Sequence, residues 1–194
     1  MLIENINNYI EDLQDQLGKL RSKDAEILFL INKLNEARLN HKQIFIMGNG
    51  GSGSTASHWM NDFNKGMNMD LSIYNGKPRF KMICLNDNIP TMLALANDSS
   101  YDQIFVEQLK NFMAPGDLVI GISGSGNSGN VWQAIEWANH HGGDTFAIIG
   151  FDGGQIKNTA KNFIHIETNN MGMFEDISLI IDHIAFDCYK NGNF

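Results

Sequence analysis

His58 and Asp62 stand four residues apart, so a helix would carry both on one face. An imidazole and a carboxylate so placed can share a metal ion, hold each other in a hydrogen bond, or offer acid and base to a sugar carbon. The plain alternative is an ion pair on a helix surface, worth about a few tenths of a kcal/mol. Near the C-terminus, Glu175, Asp176, Asp182 and His183 lie among Ile177, Leu179, Ile180, Ile181, Ile184 and Phe186. The apolar face there is broad, so its polar residues need reasons. Glu175 and His183 lie roughly 12 Å apart along a helix axis, so joint ligation of one ion requires both side chains to lean together. A histidine in such a run is more often a packing residue than a catalyst.

Two further segments have the chemistry of anion binding. Gly48-Asn49-Gly50-Gly51-Ser52 and Ser123-Gly124-Ser125-Gly126-Asn127-Ser128 each follow an apolar run and precede a helical pattern. Small residues let backbone N–H groups approach an anion, and the helix N-terminus that follows adds partial positive charge. One glycine-rich turn is weak evidence, but two after strands suggest a single phosphorylated ligand held from two sides. Asn97-Asp98 is a turn dipeptide that could also bind hydroxyls. Lys65 and Arg79 read as solvated surface.

These groups need a scaffold, and the apolar runs supply one. Ile44–Met47, Phe80–Leu85, Leu118–Ile122, Thr145–Ile149 and Phe163–Ile166 have the size of buried strands. Helical spacing predicts helices over Ser54–Lys65, Ile89–Ala96, Tyr101–Phe112, Gly129–His140 and Met173–Tyr189, with a turn at Asp152-Gly153-Gly154. The alternation predicts an α/β fold, a doubly wound parallel sheet of about five strands flanked by helices. A length of 194 residues fits one domain over 1–194, with two leading helices in 1–40 and an α/β core over 43–194. Ile3, Ile6, Ile10, Leu13 and Leu17 form a seam that suits a helical bundle, so the leading helices are expected to build a homo-oligomer.

A net charge of −8 with only 14 Lys and Arg argues against a nucleic-acid partner. The start of the chain does not read as a signal peptide, and no apolar run approaches the roughly 20 residues that span a bilayer. A soluble cytoplasmic protein without a membrane partner is the expectation. Cys84 and Cys188 provide neither a disulfide framework nor a cysteine zinc site.

Taken together, the two glycine-rich loops, His58 with Asp62, Ala96-Asn97-Asp98 and a last helix bearing His183 resemble the phosphoheptose isomerases, a branch of the sugar isomerase (SIS) family. The likeness runs in order along nearly the whole chain. It implies a flavodoxin-like SIS fold and a cytoplasmic homotetramer converting sedoheptulose 7-phosphate into D-glycero-D-manno-heptose 7-phosphate for surface polysaccharide. Carried over by position, it puts substrate contacts on Asn49, Gly50, Gly51, Ser52, Asn97, Asp98, Ser123, Gly124, Ser125, Ser128 and Glu175. Asp62 takes the place of the base and His183 that of the acid. The same likeness implies one zinc ion per site on His58, Asp62, Glu175 and His183, and no organic cofactor. Asp62 stands where the family has a glutamate, and Glu175 where it has a glutamine. Gly124 replaces the threonine of a serine-threonine-serine loop, and Gly172 falls at a family aspartate. Isomerisation of another phosphorylated sugar, or a non-catalytic sugar-phosphate protein that binds a partner such as the replication-initiation regulators of this fold, are the other readings.

Overall fold

The computed structural model describes residues 1–67, 69 and 76–192. Among them the strands are β1 Ile44–Gly48, β2 Met82–Cys84, β3 Leu118–Ser123, β4 Asp144–Ile149 and β5 Asn162–His165. Every pairing is parallel, in the order β2-β1-β3-β4-β5. The chain winds outward from β1 to β2 and then returns to the other side of β1 as β3, which makes the β1/β3 boundary the point where the order reverses. Ligands in such sheets sit beyond the carboxyl ends of the strands at that boundary. Gly48 pairs level with Ile122, so the two glycine-rich loops leave the sheet side by side.

The strands alternate between two cores, as a period of two requires. Ile44, Ile46, Ile120, Ile122, Phe146, Ile148 and Ile164 face one side. There they meet α2 (Asp24–Leu39), α3 (Gly50–Asn61) and α8 (Met171–Asn191). Phe45, Met47, Val119, Ala147 and Ile149 face the other side, against α5 (Val106–Phe112), α6 (Gly129–His140) and α7 (Gly154–Thr159). Gly121 brings α6 close, because a methyl group there would run into Val131 and Ile135. On the first side, Trp59 stacks on Phe63, which meets Phe80 and Tyr189 edge-on. The Tyr189 hydroxyl donates to the Ile31 carbonyl at 2.6 Å, tying α8 to α2.

α1 (Leu2–Leu20) precedes this body, and of its residues only Leu20 is buried. The Tyr9 hydroxyl donates to Asp176 of α8 at 2.8 Å. The seam residues Ile3, Ile6 and Ile10 remain exposed.

Several boundaries differ from the sequence-based expectation. The strand expected over Phe80–Leu85 shortens to Met82–Cys84. Its Met82 N–H donates to Asn64 Oδ1 and its Met82 carbonyl accepts from Asn64 Nδ2, so a side chain closes this edge strand. α7 forms where only a turn was expected, entered through Gly153 at φ 88°. The helix expected over Tyr101–Phe112 breaks into a 3₁₀ turn, Tyr101–Gln103, followed by α5. α3 starts at Gly50 rather than Ser54, and at Asp62 it widens into a π turn, Asp62–Met67. The helix between β2 and β3, α4 (Ile89–Asp98), opens on an Asn88 cap that accepts from the Thr91 N–H. Among the described residues no helix is long and apolar enough to cross a membrane.

Candidate active site

The first loop is shorter than the sequence suggests. Gly48 allows the chain to turn directly from β1 into α3, since a Cβ there would strike the backbone of Ser52. Gly50, Gly51 and Ser52 therefore form the opening turn of α3, and Asn49 occupies the cap position without a side-chain capping bond. The first N–H groups of a helix lack intrahelical acceptors, so this end can receive an anion.

The second loop meets the first through side chains. Asn49 and Asn130 exchange amide hydrogen bonds, both 2.9 Å, and the Tyr101 hydroxyl donates to Asn49 Oδ1 at 3.0 Å. This pair locks the start of α3 to the start of α6. In the second loop, the Ser123 and Ser128 hydroxyls lie 3.0 Å apart, and Ser125 Oγ accepts from the Asn127 N–H. Gly124 leaves room for the side chain of Met171, which occupies the space a larger residue would fill. The Asp102 carboxylate lies against Gly129 at the first turn of α6, so that helix start already has one negative neighbour. Asn97 donates to Asp98 at 2.7 Å on the exposed end of α4, three residues before Tyr101.

α3 and α8 run alongside each other with the same heading. At their N-terminal ends the Glu175 carboxylate fills the space beside Gly51, and a methyl group at Gly51 would overlap it. Two turns further along, His58 Nε2 lies 3.2 Å from His183 Nε2. The same nitrogen is 3.5 Å from Asp62 Oδ2 and 4.0 Å from Asp182 Oδ2. The four donor atoms lie within 4.8 Å of one another. The i,i+4 spacing of His58 and Asp62 thus does set them on one face, and His183 points toward them rather than into the core. His58 is 44% exposed and Asp62 20%, so the group opens to solvent.

Asp182 lies at the base of this group. It is 0% exposed, and neither carboxylate oxygen has a hydrogen-bond partner. Burial, with the nearby charge of Asp62 adding to it, raises its carboxyl group to about 8. A buried carboxylate without donors is costly, and two imidazoles with two carboxylates make a donor set suited to a divalent ion. The residues present therefore fit a metal.

Against the expected ligands, His58, Asp62 and His183 come together, whereas Glu175 does not join them and stands instead beside the first loop. Asp182 was visible in the sequence only as a charge interrupting Ile180-Ile181 and Ile184. Tyr101 and Asn130 had no sequence signal, because nothing local to either residue announces a partner 50 to 80 residues away. Gly172 lies within α8 rather than ahead of it, close to the Tyr9 hydroxyl.

Comparison with known proteins agrees with this architecture. The SIS domain family matches residues 8–150, which hold both loops, His58 and Asp62. A phosphoheptose isomerase of Trichlorobacter lovleyi is 31% identical over 188 residues, covering 95% of this chain and 93% of that protein. A probable phosphoheptose isomerase of Thermoplasma acidophilum is also 31% identical, covering 86% of this chain and 88% of the relative. The solved structure of a phosphoheptose isomerase from Neisseria gonorrhoeae superposes with a TM-score of 0.88 at 22% identity, covering 98% of this chain and 99% of the other, a likeness of fold. The chain belongs to the SIS domain family, in the branch formed by the phosphoheptose isomerases.

Proposed function

We propose that this protein isomerises sedoheptulose 7-phosphate to D-glycero-D-manno-heptose 7-phosphate, supplying heptose for surface polysaccharide. The observation that carries the reading is the paired faces of α3 and α8, with a helix start and hydroxyl-rich loop at one end and His58, Asp62 and His183 at the other. Gly51 and His58 are about 11 Å apart at 1.5 Å rise per residue. An extended seven-carbon sugar phosphate is roughly 10 Å from C1 to phosphorus, taking eight bonds of about 1.5 Å in zigzag. The phosphate then rests on the N–H groups of Gly50, Gly51 and Ser52 and the hydroxyls of Ser123, Ser125 and Ser128. The sugar hydroxyls meet Asn49, Asn97, Asp98, Gly124 and Glu175.

Asp62 removes a proton from C1 of the ketose, and the electron pair forms the C1–C2 double bond of an enediol as O2 gains a proton from His183. His183 then takes the O1 proton while Asp62 returns its proton to C2, leaving the aldehyde at C1. The two residues end as they began. A divalent ion held by His58, Asp62 Oδ2 and His183 Nε2, zinc by family likeness, would polarise the carbonyl oxygen as a Lewis acid and would leave the proton transfers to Asp62 Oδ1 and His183 Nδ1. No organic cofactor is needed for this proton transfer. The exposed Ile3, Ile6 and Ile10 of α1 support assembly as a homotetramer. Family likeness also supports a cytoplasmic setting.

The test is conversion of sedoheptulose 7-phosphate by the purified, zinc-supplied protein, followed by NMR of the aldose, with other ketose phosphates run in parallel. Asp62→Asn and His183→Ala should each lower kcat by about 10²–10⁴-fold while leaving KM within a few fold. Near-normal turnover in either variant, or preference of the parent protein for a different sugar phosphate, would overturn the assignment.

A further inference from the structure

We propose that Asp182 is a direct ligand of a divalent transition-metal ion held between α3 and α8 together with His58, Asp62 and His183, and that Glu175 lies outside this coordination sphere. The inference rests on the reading that the group holds a metal, and it changes which residues do so.

Convergence is the first ground. One atom, His58 Nε2, faces His183 Nε2 at 3.2 Å, Asp62 Oδ2 at 3.5 Å and Asp182 Oδ2 at 4.0 Å. A ring nitrogen carries at most one proton and can satisfy only one of these neighbours by donation. Four ligands around zinc at about 2.0–2.1 Å would stand roughly 3.3 Å from one another at tetrahedral angles. The three separations from His58 Nε2 bracket that spacing, and all four atoms lie within 4.8 Å of one another, so a cation among them needs the outlying ligands to close in by about an ångström.

Burial is the second ground. Asp182 is 0% exposed and both of its oxygens lack a donor, although they stand beside a solvent-facing histidine pair. At 4.0 Å, Asp182 is too far from His58 for a hydrogen bond, and the atom it approaches is the nitrogen turned toward the group rather than the outer one. This is the position of a ligand, not of a carboxylate that orients a histidine from behind. The charges also close, since two carboxylates and two neutral imidazoles balance one divalent ion. Without thiolate, the set favours zinc, cobalt or nickel over softer ions.

Glu175 is excluded by place. It stands seven residues before Asp182 on α8, about 11 Å back along the axis, with its carboxylate beside Gly51.

The experiment uses full-length protein stripped of metal and titrated with Zn²⁺ and Co²⁺ against a chromophoric chelator. The parent chain should take up one ion per chain, and Asp182→Asn and Asp182→Ala should weaken uptake by about tenfold or more, whereas Glu175→Gln should stay within about threefold. Without metal, Asp182→Asn should melt above the parent chain, since a buried carboxyl group without hydrogen-bond donors has gone, and it should gain less on adding Zn²⁺. A variant that merely loosened the fold would melt lower. Asp182→Cys should restore uptake and give the Co²⁺ form a sulfur-to-cobalt charge-transfer band in the near ultraviolet. Unchanged affinity in Asp182→Asn and Asp182→Ala, equal loss in Glu175→Gln, absence of that band, or no metal uptake by the parent chain would each overturn the proposal. Isomerase turnover is measured separately, so the assignment of Asp182 can fail while the proposed reaction stands.

Discussion

Substituting Gly51 by alanine should separate stability from activity in this protein. The residue lies in the first turn of α3, and a methyl group there would overlap the Glu175 carboxylate. Alanine in place of glycine in a helix gains at most about 1 kcal/mol. The atom it meets is the far end of a flexible side chain, and pushing a χ angle of Glu175 about 30° off its rotamer costs about 0.5–1.5 kcal/mol. The two effects nearly cancel, so the melting temperature of the Gly51→Ala variant should stay within about 4 °C of the parent. Turnover should not be spared, because the added methyl stands at the proposed phosphate seat and pushes Glu175 off its place. A displacement on the order of 1 Å can cost about 10²-fold in rate, and kcat/KM for sedoheptulose 7-phosphate should fall by about that factor. Differential scanning fluorimetry and steady-state kinetics on the same preparation decide the matter. Parent-like kcat/KM would refute the proposed placement of the ligand at this helix start, and a collapse in melting temperature would refute the claim that Glu175 can move aside.

Two further outcomes follow from other parts of the molecule. Cys84 is 4% exposed and burial pushes its thiol from 9.0 up to about 12, so near neutral pH it should react with a disulfide reagent about a thousandfold more slowly than an unshifted thiol, and freely once unfolded; rapid labelling of both cysteines in the native protein would contradict this. Ile6 and Ile10 are 59% and 49% exposed on α1, and if the proposed homotetramer forms through them, Ile6→Asp with Ile10→Asp should reduce the sedimenting mass below that of the parent protein; an unchanged mass would refute the role of the seam.

The sheet was legible in the sequence because parallel strands buried on both faces read as apolar runs, as Leu118–Ile122 and Thr145–Ile149 do. β2 was overestimated because Phe80 is apolar for another reason, packing against Phe63 and Tyr189 rather than pairing. The start of α3 was misplaced because consecutive glycines read as loop, while here Gly50 takes a left-handed φ of 54° at the helix start and Gly51 lets the Glu175 carboxylate come close. α7 was hidden by the same two-glycine signal at Gly153 and Gly154. In the site, the spacing of His58 and Asp62 carried real information, since a helix fixes which residues share a face. That Asp182 rather than Glu175 stands beside His58, Asp62 and His183 did not show, because position along α8 decides it, and that position depends on how α8 lies against α3.

That shared heading has a consequence for which sugars can react. Gly51 faces Glu175 and His58 faces His183, so the two helices fix the distance between the proposed phosphate end and the proposed proton-transfer end. With the phosphate seated, a five-carbon ketose phosphate, shorter by two bonds, would leave its carbonyl about 2.5 Å short of the imidazoles, beyond near-attack distance. On that proposed seating the two helices would act as a gauge for chain length, rejecting shorter substrates by reach alone, without any side chain that must recognise what is missing.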